Sequence, residues 1–192
     1  MTTAPLRKDA ARNWQRIVEV GRRLVDGGTP IQLNDVARTA SVGVATVYRH
    51  FPTPEALLET LATPGLETLV SRAERALSDD DPWTALRDFL FAAIHAQITD
   101  ATLSPVFATP VNVLPHTTEL KQRLAGLFGQ LIGRAHAAST VDPAITQADI
   151  VPLMCGVAFA ANVHPAANIE DRAATARRYL TVILEGLRTR EQ

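Results

Sequence analysis

Apolar side chains recur every three or four residues along most of this 192-residue chain, the spacing that places them on one face of an α-helix. Residues 14–25 form the first such segment, and two glycines end it. Residues 33–40 supply about two further turns with one apolar side. After a break at residues 41–44, the pattern predicts a short third helix over residues 45–51.

Beyond residue 53 the sequence predicts about six more helices. No strict alternation of apolar and polar residues continues for more than about four positions, and no internal repeat is visible. The chain is therefore predicted to be all-α. Helix starts are predicted where a capping side chain precedes a proline, or where a capping-box pattern occurs: Thr53-Pro54, Asp81-Pro82, Asp142-Pro143, and Asn168 with Asp171.

Two short helices joined by a tight turn, after a longer supporting helix, are typical of a helix-turn-helix whose second helix enters the DNA major groove. At 100° per residue, Val47 and Phe51 share the inward face of that second helix. Its other side carries groups that can donate to phosphates or, at Ala45, pack against a thymine methyl. These outward residues are Ala45, Thr46, Tyr48, Arg49 and His50.

Composition and charge are consistent with this interpretation. Apolar residues make up 46% of the chain and charged residues 20%, which is typical of a globular protein. The net charge is only −1, yet residues 1–50 hold eight basic and four acidic side chains, whereas residues 51–192 hold eleven and sixteen. This asymmetry fits a small module that binds a polyanion, joined to an acidic body.

The stretch LNDVARTASVGVATVYRHFPTPEALLETL, residues 33–61, resembles the N-terminal DNA-binding region of the TetR family of bacterial transcriptional regulators. The second helix, the turn, the Tyr-x-His-Phe motif and the Pro-x-x-Ala-Leu after it all occur in register. The resemblance implies a helix-turn-helix DNA-binding domain in residues 1–52 and a larger helical effector-binding and dimerisation domain in residues 53–192. It further implies a homodimer on double-stranded operator DNA, usually a repressor, that a small-molecule effector releases.

Carried over position by position, the resemblance implies that Thr46, Tyr48 and His50 contact the DNA backbone, and that Val44 and Ala45 lie where base edges are read. Asn34, early in the second helix, matches another position that can reach a base. With Arg49, these residues form the predicted DNA-binding set.

Four positions depart from the family pattern. Gly43 stands where a residue that caps the recognition helix is common, and Val44 has no hydrogen-bonding group for a base. Pro54 replaces a lysine that often contacts phosphate, so one fewer counterion is expected to be released on binding. Pro64 lies inside the helix that should join the two domains, and a proline there predicts a break. That break is either a hinge or a plain loop.

The predicted helix over residues 82–99 contains FLFAAI, apolar almost all round, as suits a buried central helix or a cavity wall. Polar groups at apolar positions here predict an effector pocket, although such residues also occur in ordinary cores. Residues 104–115, with three prolines, either flank the entrance or only connect helices. The candidate effector-binding residues are His95, Gln97, Phe107, Phe128 and Met154.

The last two predicted helices, residues 146–163 and 169–188, are candidates for the dimer interface. The first has small residues that permit close helix approach, and the second has an apolar stripe that suits either a partner or the chain's own core. The small residues are Gly156, Ala158, Ala160 and Ala161, and the stripe is Tyr179, Leu180, Ile183, Leu184 and Leu187.

Other kinds of chemistry find little support in the sequence. Cys155 is the single cysteine, the five histidines lack ligand spacing, and no nucleotide-binding or hydrolase motif occurs, so we expect no metal, no cofactor and no catalysis. The apolar run of residues 150–163 contains Pro152 and is too short to span a bilayer, so we interpret it as a buried helix and expect a cytoplasmic protein without membrane contact. Two alternatives stay open: an all-α small-molecule-binding protein or enzyme whose DNA-binding heads are non-functional, and an activator instead of a repressor.

Overall fold

The computed structural model of the protein describes residues 4–188, with side chains from residue 9 onward. These residues form nine α-helices, and the pairing of Val141 with Arg188 is an isolated bridge outside any strand. The all-α prediction is confirmed. The helices are α1 (Ala4–Asp26), α2 (Leu33–Ala40), α3 (Val44–His50), α4 (Pro54–Ala76), α5 (Pro82–Thr99), α6 (Leu103–Ala108), α7 (Pro115–Ala137), α8 (Gln147–Val163) and α9 (Ile169–Leu187).

Helices α1 to α3 pack around a small apolar core, and we call this part the head. Val47 and Phe51 are both buried in that core, as predicted. Leu57 and Leu61 of α4 belong to the same core, so it extends past residue 52 into the first turns of α4. A side chain at Gly21 would lie 3.1 Å from Leu57, so α1 approaches α4 closely only because that position has no Cβ.

The turn between α2 and α3 is made by Ser41, whose φ of 51° lies in the left-handed region. The amides of Ser41 and Val42 donate to the last carbonyls of α2, which ends that helix. Gly43 then precedes α3 with an ordinary φ of −58°, and no side chain caps the first turn of α3. The recognition helix therefore begins without a side-chain cap, as the sequence predicts.

Three of the four predicted helix starts are confirmed. Thr53 and Asp81 cap α4 and α5, and the Asn168 side chain accepts from the amide of Asp171 at the start of α9. The start predicted at Asp142 is wrong. The Asp142 amide donates to the carbonyl of Leu187 at the end of α9, and its carboxylate accepts from the amide two residues on, so the chain makes a turn.

The break predicted at Pro64 is also wrong, because α4 runs through it without interruption. An interior proline costs about 3 kcal/mol in an isolated helix. Here Leu61 and Leu66, on either side of the proline, are buried in the head core and in the larger core of the body respectively. The guanidinium of Arg22 also donates to the carbonyl of Leu61. Packing and this hydrogen bond hold the helix continuous across Pro64.

Helices α4 to α9 enclose the larger core, and we call this part the body. Helix α5 lies at its centre and contacts α4, α7, α8 and α9, as its all-round apolar sequence predicts. The α9 stripe packs into this core, since Leu180, Leu184 and Leu187 are buried. The other two stripe residues, Tyr179 and Ile183, are half-buried at the edge of that core, and a dimer interface on α9 stays a prediction.

Only one side of α8 is buried, so the prediction of a fully buried helix over residues 150–163 is wrong in part. The opposite side, together with adjoining positions of α9, exposes apolar and glycine residues, and we call this surface the outer face. Phe159 and Val182 are among the most exposed large apolar residues of the described part of the chain, at 69% and 70% exposure. The outer face comprises Leu153, Gly156, Phe159, Val163, Val182 and Gly186.

Candidate functional site

Helix α3 presents a continuous surface to solvent on the side away from the head core. Val44 and Tyr48 are 49% and 44% exposed, and Ala45 and Arg49 are also exposed. Thr46, Asn34 and His50 complete the predicted set: Thr46 and His50 are half-buried, and Asn34 is exposed on α2. The exposed side of α3 is therefore accessible to a DNA groove. The DNA contacts of these residues stay predictions.

His50 is one of the two half-buried members of this set. Its Nε2 atom is shielded and makes no hydrogen bond within residues 4–188. Its ring lies 6.3 Å from that of Phe51, which in turn lies 6.5 Å from the ring of Trp14 in α1. The imidazole has to turn away from this aromatic group before Nε2 can donate to a phosphate.

The body contains a cavity of about 280 Å³ between α4, α5, α6, α7 and α8. Its wall is largely apolar, and the tilted rings of Phe89 and Phe128 pack against each other at a centroid distance of 5.7 Å. The lining residues are Leu69, Phe89, Leu90, Ala93, Gln97, Phe107, Lys121, Leu124, Ala125, Phe128, Gln147, Val151, Met154 and Cys155.

The structure brings four of the five predicted effector residues to this cavity. Gln97, Phe107, Phe128 and Met154 line it, and effector binding there stays a prediction. His95 does not line it: the side chain is exposed on the outside of α5. The placement of His95 at the pocket is therefore wrong. His95 precedes Gln97 by two residues, so the two side chains point about 200° apart around α5.

Lys121 is the charged residue in the lining that the sequence analysis missed. Its Nζ atom donates to the carbonyls of Val106 at 2.9 Å and Thr109 at 2.8 Å, at the C-terminal end of α6. Burial lowers the pKa of the Lys121 ammonium, and the nearby Glu59 carboxylate opposes that shift. A signal was available, since Lys121 shares one face of α7 with the buried Thr117, Leu124 and Phe128, although a single lysine is a weak one.

Glu59 of α4 is a buried carboxylate, with 3% of the residue exposed. Its two oxygens accept from the amides of Val113 at 2.7 Å and Leu114 at 2.8 Å, just before α7 begins. These amides would otherwise lack partners at the helix start. Glu59 therefore fixes the start of α7 to the half of α4 that lies nearest the head.

The head also contacts the turn between α5 and α6. Arg22 of α1 lies 2.8 Å from Asp100, and the same aspartate oxygen accepts from the amide and hydroxyl of Thr102 at 3.0 and 2.6 Å. Short helix α6 is therefore held at its start through Asp100 and at its end through Lys121. One of these contacts faces the head, and the other faces the cavity.

Neither a metal-binding group nor a membrane-spanning helix is found in the described part of the chain. Residues 4–188 contain no group of three or more His, Cys, Asp or Glu side chains that could hold a metal ion. None of the helices built from these residues has the length and apolar character that crossing a membrane requires. What the structure offers is an exposed helix-turn-helix and an internal cavity.

A helix-turn-helix head on a helical body defines a protein of the transcriptional-regulator class. Residues 81–189 match the family described as the C-terminal domain of SbtR-like transcriptional regulators, of the TetR type. The chain belongs to the TetR family, which confirms the family predicted from residues 33–61.

Comparisons with individual proteins agree with that assignment. An HTH-type transcriptional regulator from Staphylococcus aureus (strain bovine RF122 / ET3-1) is 33% identical over 76 residues, which span 38% of this chain and 41% of the relative. The chain thus matches about two-fifths of the length of that curated relative.

Two of the matching solved structures illustrate a likeness over nearly the whole chain. A TetR transcriptional regulator from Streptomyces coelicolor is 27% identical with a TM-score of 0.56, covering 92% of this chain and 99% of that one. A TetR family repressor from Thermus thermophilus, solved with lauroyl-CoA, is 20% identical with a TM-score of 0.58, covering 93% and 96%. The second likeness is one of fold alone.

Proposed function

We propose that this protein is a cytoplasmic, DNA-binding transcriptional regulator, a repressor that a small-molecule effector releases from its operator. The observation that carries the proposal is the division of α3 into two sides. Val47 and the adjoining Phe51 are buried in the head core, while Tyr48 and Arg49 point to solvent. A helix that is packed on the head core on one side and exposed to solvent on the other can enter a DNA major groove.

The residues on this bare side suggest how the duplex is held and read. Arg49 and the hydroxyl of Tyr48 donate to phosphates, which positions the head without reading sequence. Val44 and Ala45 offer only methyl groups, so the bases they meet are read through thymine methyl contacts. Asn34 of α2 supplies an amide that can pair with an adenine edge.

The outer face supports a homodimer. A single copy would leave Phe159, Val163 and Val182 in water, and large apolar residues grouped on one surface usually mark an interface. Gly156 and Gly186 have open space around them, which lets a second pair of helices approach closely. A two-fold dimer presents two α3 helices to two half-sites, which requires an operator with matching symmetry.

Fluorescence anisotropy on labelled DNA tests the proposal. The duplexes are the region upstream of the protein's own gene and a site selected from random-sequence DNA, each measured at several salt concentrations. The variants are Tyr48→Phe and Arg49→Gln, with Arg72→Gln as the matched control, because Arg72 is an exposed arginine of α4 in the body.

We expect saturable binding by two chains per site. Arg49→Gln should weaken binding and lower the salt slope by about one counterion per chain, whereas Arg72→Gln should change neither. Binding equal to that of scrambled DNA, or equal losses in both arginine variants, would contradict the DNA-binding proposal. The cavity would then favour a small-molecule-binding protein whose heads do not engage DNA.

A further inference from the structure

We infer that the cavity of the body accepts a small apolar molecule with a single carboxylate, which binds the Nζ atom of Lys121. Such a molecule would be the effector of the proposed regulator, and only this regulatory role rests on the proposed function. The binding itself rests on the cavity, on its one cation, and on how that cation is held.

Lys121 brings a positive charge to a wall that is otherwise uncharged. Every other lining residue is apolar, apart from the amides of Gln97 and Gln147 and the thiol of Cys155. Within residues 4–188 no carboxylate lies within ion-pair distance of Lys121. The Glu59 carboxylate acts on Lys121 only from beyond ion-pair distance. A half-buried ammonium group without a directly paired carboxylate favours a ligand that brings one.

The hydrogen bonds of Lys121 leave room for such a ligand. An ammonium group has three donors, and two of them reach the carbonyls of Val106 and Thr109. The nearest structural carboxylate, on Glu59, already accepts from the amides of Val113 and Leu114. The third donor of Lys121 is therefore available to an incoming carboxylate.

The same features exclude other ligand classes. A protonated amine would be repelled by the positive charge of Lys121. A sugar would place most of its hydroxyls against Leu69, Phe89 and Phe128, where they find no hydrogen-bond partners. A phosphate ester with two negative charges would find one cation in the lining instead of a cluster. At about 280 Å³, the cavity lies at the small end of ligand sites, which suits one short chain or ring with its carboxylate.

A carboxylate on Lys121 also competes with the end of α6. The carbonyls of Val106 and Thr109 are among the last of that short helix, where helix carbonyls have no internal partner. A ligand that draws Nζ away from them removes a contact that holds α6 against α7. Because α6 begins beside Asp100, which binds Arg22 of the head, the carboxylate acts on the element that joins cavity and head.

Isothermal titration calorimetry with three probes of equal chain length tests the inference: octanoate, octan-1-ol and octylamine, each titrated into the full-length protein at pH 7.5. We expect octanoate to bind roughly tenfold or more tighter than octanol, and octylamine to bind more weakly than octanol. In Lys121→Met, the affinity for octanoate should fall to that for octanol, while octanol binding is retained.

Arg123→Met is the matched control. It removes a positive charge from the same helix, but that charge pairs with Glu74 on the surface and does not line the cavity. Octanoate should bind this variant as it binds the unchanged protein. If Lys121→Met does not fold, the ranking of the three probes on the unchanged protein still decides.

Equal affinities for octanoate and octanol, or a preference for octylamine, would overturn the inference. The outcome is separable from the proposed function, because DNA binding is measured without any ligand. Specific DNA binding without an octanoate preference would leave a regulator with a different effector class. An octanoate preference that depends on Lys121, without specific DNA binding, would support the carboxylate site in the cavity and contradict the proposed regulator function.

Discussion

Arg22 of the head and Asp100 of the body, 78 residues apart in sequence, form an ion pair at 2.8 Å. Their side chains retain 33% and 23% exposure, so the pair is shielded but not dry. Asp100 also binds the amide of Thr102 ahead of α6, and Arg22 also binds the carbonyl of Leu61 in α4. Two side chains thus tie together α1, α4 and the start of α6.

This pair should couple the two parts of the molecule energetically. We expect a double-mutant cycle with Arg22→Gln and Asp100→Asn to give an interaction energy of about 1 kcal/mol in urea unfolding at low salt. Asparagine keeps an oxygen for the Thr102 amide, so the cycle isolates the charge. An interaction energy of zero would mean that solvent screens the pair completely, as it does at many surface ion pairs. Arg23→Gln, in a pair with Glu19 on the exposed side of α1, is the control and should change stability little.

Glu59→Gln should destabilise the protein, although glutamine has nearly the same shape as glutamate. Glutamine offers one oxygen where two amides, of Val113 and Leu114, each need an acceptor, and its NH₂ group would face one of those donors. Both hydrogen bonds are partly buried, so leaving one of these donors without an acceptor should cost about 1 kcal/mol, to be read from urea unfolding curves. Glu55→Gln, exposed on the same helix, should change stability by less than about 0.5 kcal/mol. Equal small losses in both variants would show that the Glu59 contacts contribute little.

Phe159→Glu in the outer face should convert the proposed dimer into monomers. Two copies of the charge would be buried against each other and against the partner's apolar side chains, which no salt bridge within the face offsets. Size-exclusion chromatography with light scattering reads the mass directly. Val111→Glu changes a comparably exposed apolar residue in the connection before α7 and should leave the mass unchanged. A dimer that survives Phe159→Glu would locate the interface elsewhere.

Pro64→Ala should stabilise the protein, since α4 already runs through this position and the ring lies exposed. Restoring a backbone donor and removing the ring clash should add about 1–3 kcal/mol to the free energy of unfolding. The helix content by circular dichroism should stay the same. If Pro64 is a hinge, the variant should also lose ligand-induced release of DNA, whereas unchanged release would remove the hinge hypothesis.

The elements that sequence alone located well are those fixed by short-range rules. Helix α2 matches the predicted residues 33–40 because its apolar period is a local signal. Helix α5 matches the predicted residues 82–99 because Asp81 caps its start, which is also a local signal. The burial of the Val47 and Phe51 side chains is predicted by helix geometry, which is also a local rule.

The elements that it missed depend on residues far apart in the chain. Asp142 makes a turn because the end of α9 lies beside it, and α4 passes Pro64 because two cores bind it from both sides. Lys121 becomes part of a cavity wall only when α6 is folded over α7. Neighbouring residues place Lys121 on the buried face of α7, but they do not show that α6 and a cavity lie against it.

Gly65, next to Pro64, is the point where α4 approaches the α5–α6 turn most closely. A Cβ there would lie 3.0 Å from Asp100 Oδ2 and 3.1 Å from Leu103, which are tighter than ordinary contacts. Any side chain at this position therefore pushes on the segment that Arg22 holds, without touching DNA or the cavity. In a two-state regulator, such a residue sets the resting ratio of the two states, and with it the ligand concentration at which the gene responds.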